Sequence, residues 1–390
     1  MESGLSLEII YQNNLDTGKF AKMLDNTSQS YKFYWLEAIL SLMFETEEDL
    51  TFDRIIDEMI CGAWYTVTHY HLRLGPTING SSENFLEHAI NVLNIQEGKN
   101  LAQNPTKEKL LLAIKRNEEL LKRDKYRLTD YVPYKLLYPF LDEEGLEYLR
   151  NDQRGRFIEY IDKLTDNLFY KIIAGRGLQK KIHIDANWRK LILDNYSVIT
   201  SWVKYHKIQF LQDRNPGVPG IVYKISPESD DVRKLEKARD LWKAIVEITG
   251  QPLRDIYAGE ELSIENFDLD HFVPRSYIAN DELWNLTPMK KDLNSSKNNK
   301  LPSWDKFFGE FARYQYYLYS QLFMSKNRKD TIVLQDKFER CKRYNLNAIW
   351  AAECLYIPNN NREQFVNILE HNLKPVYDAA KLQGYDLWRI

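Results

Sequence analysis

Cysteine is scarce. Only Cys61, Cys341 and Cys354 occur in 390 residues. They lie far apart and form no CxxC pair, which excludes a disulfide framework and a cysteine-held zinc knuckle. A reducing cytoplasm fits that usage. No stretch reaches the roughly 18 apolar residues of a membrane span. The opening MESGLSLEIIYQNNLD lacks the basic-then-apolar order of a secretory signal. Excess charge of one sign is missing too, with 53 Lys and Arg against 56 Asp and Glu and a net charge of −3. A globally basic nucleic-acid coat is thereby excluded, so any contact with a phosphate backbone must come from a local patch. Internal repeats and low-complexity tracts are absent as well. The expectation is a soluble cytoplasmic protein with no membrane partner. Aromatic side chains, by contrast, are abundant, with 25 Tyr, 17 Phe and 9 Trp. They favour a packed fold over disorder, and the length allows two or three domains.

Helical spacing dominates the chain. Residues 28–45 carry an apolar face of Phe33, Leu36, Leu40 and Phe44. Thr51 is placed to cap a second helix that runs towards Gly75. Residues 83–94, 107–123, 143–173, 187–212 and 232–248 repeat the pattern, and a long C-terminal helix is expected from Asn361 to Leu382. The proline-flanked run 132–141 reads as a packed connector, and 178–187 as a hairpin. The Pro-, Gly-, Ser- and Asp-rich segment 213–231 reads as a linker. The expected fold is mainly α, a helical scaffold carrying a small ββα unit. The expected domains are a helical N-terminal domain over 1–212 with a regulatory, recognition or docking role, the linker 213–231, a domain over 232–310 that holds the ββα unit, and a C-terminal helical region over 311–390 packed on it.

The chemistry is concentrated in residues 268–302, DLDHFVPRSYIANDELWNLTPMKKDLNSSKNNKLP. Asp270 offers a hard anionic oxygen and Asn294 a neutral carbonyl oxygen, a pair suited to Mg²⁺ or Mn²⁺. His271 is the candidate general base, because a neutral imidazole can take a proton from an attacking water. Strand alternation points its side chain away from that of Asp270, and a bend encouraged by Pro274 would bring the two together. Asn285, between core candidates Leu283, Trp284 and Leu286, is expected to orient His271 across the loop. Lys297 lies one helical turn after Asn294, in a helix expected to end at Pro302, and is a candidate for transition-state charge stabilisation. Arg275, Lys290, Lys291 and Lys300 make the segment locally basic and are candidates for backbone phosphate contacts.

This ordering resembles the HNH (ββα-metal) endonucleases. It is similar in particular to the HNH domain of RNA-guided CRISPR effectors, which reads D-x-D-H-h-h-P-x-S, then a middle Asn, N-x-x-K and a proline. The matching positions here are Asp268, Asp270, His271, Pro274, Ser276, Asn285, Asn294, Lys297 and Pro302. The resemblance implies His271 as general base, Asp270 and Asn294 as metal ligands, Asn285 as the structural Asn, and products with 5′-phosphate and 3′-hydroxyl ends. It covers about residues 250–305. The whole chain also resembles bacterial defence-type HNH proteins with a helical N-terminal region. Two departures stand out. No CxxC pair braces the unit, so the preceding segment must pack without zinc, through Ile256, Tyr257 and Leu262. No RuvC-like signature accompanies it either.

Plainer readings compete elsewhere. His69 and His71 sit at i and i+2, which face different ways on a helix, and read as structural. The aromatic run 311–323 could stack bases, but its helical spacing favours core. The functional expectation is a DNA endonuclease, double-stranded DNA first, in prokaryotic anti-phage defence or restriction. A regulatory protein or ATPase and a homo-oligomer are the partners considered. The alternative is a catalytically silent HNH-fold module that binds nucleic acid or protein. A homing nuclease is the third reading, without a specificity module to support it.

Overall fold

In a computed structural model, residues 15–76, 83–97, 100–101, 105–164, 168–173, 175–225, 235–325 and 328–390 are described. They form a mainly α fold with three small antiparallel sheets. Among the described residues no helix is long and apolar enough to cross a membrane. The chain divides into two compact units, Met1–Pro216 with Ile225–Pro227, and Gly217–Lys224 with Glu228–Ile390.

The first unit is built on the helix Tyr31–Glu45, which is apolar on nearly every side. Tyr34, Trp35, Leu36, Ile39 and Leu40 are all buried, as befits a central helix. Phe44, placed on its apolar face from the sequence, is instead exposed and meets Tyr196 edge-on. The Thr51 side chain does cap the next helix, Phe52–Thr68, by accepting from the Arg54 amide at 3.2 Å. That helix stops well short of Gly75. His71 takes φ +53°, a left-handed turn no helix can pass through. The 107–123 pattern is two helices, Lys107–Arg116 and Glu118–Thr129. Asn117 breaks them, because its side-chain amide bonds the Ala113 carbonyl and a Glu97 carboxylate.

The proline-flanked connector holds the short helix Val132–Lys135 and a 3₁₀ turn, Tyr138–Phe140. The 143–173 pattern ends its second helix at Lys163, and its last residues are a strand, Lys171–Ile173. That strand and Leu50–Thr51 flank Lys181–His183 in a three-stranded sheet. The expected hairpin is therefore real but centred earlier than 178–187.

Most of the segment expected as a linker is structured. Residues 226–231 of it lie outside the described residues. Residues Gly217–Lys224 belong to the second unit, where the buried Lys224 ammonium donates to the Tyr277 carbonyl and the Tyr277 hydroxyl to that of Gly217. The helix Glu236–Thr249 follows, closed by Gly250 at φ +65°, a conformation that favours glycine. The helix Trp304–Phe323 then runs straight through the 310/311 boundary drawn from the sequence. It buries Phe311, Tyr314, Leu318, Tyr319 and Leu322, so the aromatic run is largely core. Arg328–Asn345, a π-helical turn Ala351–Leu355 and Arg362–Leu382 complete the unit. The last helix opens on a reciprocal capping box between Asn361 and Gln364.

Candidate active site

The strand Asp268–His271 pairs antiparallel with Leu286–Met289, setting Asp270 opposite Thr287 and His271 opposite Leu286. The helix Lys291–Lys297 begins two residues after the second strand, giving the expected ββα order. Asp268 and Asp270 alternate onto one face of their strand, and Asn294 and Lys297 lie one turn apart on the helix. The two pairs meet. The Asn294 amide nitrogen donates to Asp268 Oδ2 at 3.2 Å, and Lys297 Nζ donates to Asp270 Oδ1 at 3.0 Å. The same ammonium bonds the His271 carbonyl at 2.7 Å. Lys297 is fully buried, so it holds the end of the strand in this geometry. Its helix ends at Lys297 with Asn298 at φ +48°, not at Pro302 as the sequence suggested.

His271 takes a different set of partners from Asp270, as strand alternation requires. Its Nε2 lies 3.0 Å from Asp281 Oδ1. As a carboxylate, Asp281 accepts; that assigns the proton to Nε2 and leaves the lone pair on Nδ1. Burial lowers the His271 pKa below its ordinary value, against the opposing pull of Asp281 and Asp270. The imidazole is accordingly neutral at pH 7, the form a general base needs. Pro274 does not bend the strand end towards Asp270; it opens the single helical turn Arg275–Ile278.

Asn285 is completely buried and pairs both ways with the backbone of one residue, Val273. Its Oδ1 accepts from the Val273 amide and its Nδ2 donates to the Val273 carbonyl, each at 2.8 Å. It therefore fixes the backbone two residues beyond His271, and both of these side-chain hydrogen bonds go to that backbone and not to the ring. Leu283, Trp284 and Leu286 beside it are buried.

The basic candidates separate. Arg275 Nε donates to Asp281 Oδ1 at 3.1 Å, on the same oxygen as His271. Lys290 pairs with Glu260 through its ammonium. Lys291 and Lys300 are exposed.

Three residues enter the site that sequence reasoning did not place there. Asp281 sits on the loop between the strands, ten positions from the histidine it contacts, and its only sequence signal is a second acid in the loop of the motif. Tyr257, expected only to pack, also donates its hydroxyl to Asp270 Oδ2 at 2.9 Å. Its ring meets Phe307 and Trp388 edge-on. Asp255, fully buried, accepts from the amides of Tyr257 and Ala258 through Oδ1 and from that of Lys290 through Oδ2. It ties the turn after Leu253–Arg254 to the start of the helix Lys291–Lys297. The Asp-x-x-x-Gly turn ending in Gly259 at φ +70° was the available signal for it.

Asp268, Asp270 and the Asn294 side chain are hard oxygen donors gathered on one strand–helix contact, and that donor chemistry fits Mg²⁺ or Mn²⁺. Asp270 is also the carboxylate on which Lys297 already places a positive charge. A second acidic group, Asp53, Asp57 and Glu118, lies in the first unit. It surrounds the buried Lys125 ammonium, 2.8 Å from Asp57 and 3.0 Å from Glu118, with Asp53 completing the ring. Lysine fills that cluster.

Residues 255–303 match the family model of the HNH endonucleases. No curated protein and no solved structure shows a significant match to the chain. The HNH resemblance thus stands over that segment, and it supports reading the module as a nuclease acting on nucleic acid. The closer likeness to CRISPR effectors is not carried by the match.

Proposed function

We propose that this chain is a divalent-metal-dependent endonuclease that hydrolyses DNA, double-stranded DNA first. The observation that carries the reading is the family match over 255–303 together with a buried, neutral His271 held by Asp281 beside the Asp270 carboxylate. Water enters next to His271, and Nδ1 takes its proton as the oxygen attacks phosphorus. The bond to the 3′ oxygen breaks on the opposite side, and that oxygen takes a proton from solvent water, leaving a 5′-phosphate and a 3′-hydroxyl. Asp270 and Asn294, with Asp268 adjacent, would hold Mg²⁺ or Mn²⁺, which when bound supplies charge neutralisation at the phosphate and the leaving oxygen. Asp281 keeps the imidazole in the tautomer that presents Nδ1. Asn285 holds the turn behind it.

The biological setting we favour is prokaryotic defence or restriction in the cytoplasm. The helical first unit is far larger than catalysis needs and is the place for recognition, or for docking a regulatory protein or an ATPase. One such site cuts one strand, so double-strand breaks call for a homo-oligomer or for successive nicks.

A second reading is a catalytically silent module. It is favoured by the burial of both His271 and Asp270, and by the two protein donors already on the Asp270 oxygens. Supercoiled plasmid incubated with the protein in Mg²⁺, Mn²⁺ or EDTA separates the two. The expected result is metal-dependent nicking that His271→Ala abolishes while DNA binding survives. Absence of nicking with intact DNA binding would support the silent module.

A further inference from the structure

The first unit contains a cavity of about 640 Å³ that the nuclease chemistry does not use. Its wall joins the 3₁₀ turn Lys22–Leu24, the start of the helix Tyr31–Glu45, the end of Glu118–Thr129 and the turns around Val132–Lys135 and Tyr138–Phe140. The volume is in the range of small-molecule sites, which are mostly apolar with a few polar groups that orient the ligand.

The lining is asymmetric in charge. Four basic residues, Lys22, Lys32, Arg127 and Lys135, face a single acid, Asp25. Lys32 Nζ donates to the carbonyls of Met23 at 2.8 Å and Asp25 at 3.0 Å. Carbonyls satisfy its hydrogen bonds but do not cancel its charge. Burial lowers the Lys32 pKa to about 8; Asp25 opposes that shift and the Lys135 charge adds to it. Two ammonium groups therefore act on each other in a partly desolvated space. An arriving anion would relieve that repulsion. Arg127 has one carboxylate nearby, Asp130 at 3.4 Å, and both are exposed.

Aromatic surface accompanies the charge. Tyr31 is buried in the wall, while Tyr131 and Tyr138 are 58% and 37% exposed. The Lys135 ammonium lies 5.0 Å from the centroid of the Tyr131 ring, so cation and ring face are presented together. A ligand matched to this lining has a flat aromatic part and several negative charges. Duplex DNA is too wide for a pocket of this volume, and a bare phosphate would leave the aromatic wall unused. We propose that this cavity binds a nucleoside polyphosphate, with its phosphates towards Lys32 and Lys135 and its base against Tyr131 and Tyr138. The first unit would then carry a ligand site of its own.

The test is calorimetric titration of the full chain with ATP, GTP, CTP and UTP in EDTA, which removes divalent metal from the nuclease module. Pyrophosphate and adenosine serve as probes of the two halves of the ligand. The expected result is one-to-one binding of at least one nucleotide, about tenfold or more tighter than pyrophosphate or adenosine. Lys135→Glu and Tyr131→Ala, both at exposed positions, should each weaken it by about tenfold, with unchanged circular dichroism. No nucleotide binding at millimolar concentration would overturn the proposal. So would pyrophosphate binding as tightly as the best nucleotide, or affinity unchanged in both variants. The outcome is independent of whether plasmid is cut.

Discussion

Lys125 and Lys297 are both completely buried, one in each unit, and their surroundings are opposite. Lys125 is ringed by Asp53, Asp57 and Glu118. Burial works against its charge, but Asp57 and Asp53 outweigh it and carry the ammonium up to about 12. Lys297 faces one carboxylate, Asp270, and one carbonyl, that of His271. There burial wins and the ammonium is pushed below its ordinary value. The first lysine is overcompensated, as a structural strut should be. The second is undercompensated, and it sits on the carboxylate that the proposed chemistry needs. Near-identical exposure thus goes with a compensated structural lysine in one unit and with an undercompensated one at the proposed site in the other.

The comparison breaks if the two lysines behave alike on removal. His271→Ala sets the scale and should cost about 10³-fold or more in plasmid nicking, with DNA binding retained. Lys297→Met should come next. Nicking should fall about 100-fold, because the end of the catalytic strand loses its tie, and a shifted Mg²⁺ titration should accompany the loss. An unchanged rate would remove Lys297 from the working site.

Lys125→Met should leave the specific rate within about twofold yet lower unfolding stability in urea by about 3 kcal/mol, since three carboxylates lose their cation. Loss of rate at constant stability would reverse the assignment. The sign with pH follows from the raised value. The Lys125 contribution is fully present below its unfolded pKa of 10.5 and is lost as pH rises through about 12.

Asp281→Asn sharpens the contrast at the smallest scale, with an expected fall of about tenfold in rate. Asp281 raises the His271 pKa against burial, so its removal should move the acid limb of the pH–rate profile to lower pH. A profile that stays in place would make Asp281 a support for the loop alone.

The order of elements around the site was legible because HNH-type chemistry lies within one short run of sequence. Asp270, His271, Asn285, Asn294 and Lys297 all fall inside it, but the bend at Pro274 expected to bring His271 round to Asp270 is instead the start of a helical turn. What was not legible depends on tertiary contacts. Nothing in the local pattern says that Arg275 pairs with Asp281, or that Tyr257 reaches Asp270. The helix ends were misjudged where polar side chains compete for the backbone, as Asn117 does, or where a non-glycine residue turns left-handed, as His71 does. Phe44 fitted the apolar period but lies exposed at the last turn of its helix. Periodicity alone could not tell a buried helix from its protruding end.

The far end of the chain has a bearing on how the catalytic unit could be moved. The segment 345–348 grips the loop that carries Asp281. The Asn345 side chain donates to the Asp281 carbonyl, while the Asn347 amide and side chain and the Ala348 amide converge on Glu282. Further on, Leu301 exchanges backbone hydrogen bonds with Asp386 and Trp388, and the Trp388 ring lies against Tyr257. The stretch that matches the nuclease family stops at residue 303, but the stitching that holds the Asp281 loop and Tyr257 does not. A cassette cut at that point for grafting into another protein would carry every recognisable letter of the motif and leave behind the clasp that keeps them in place.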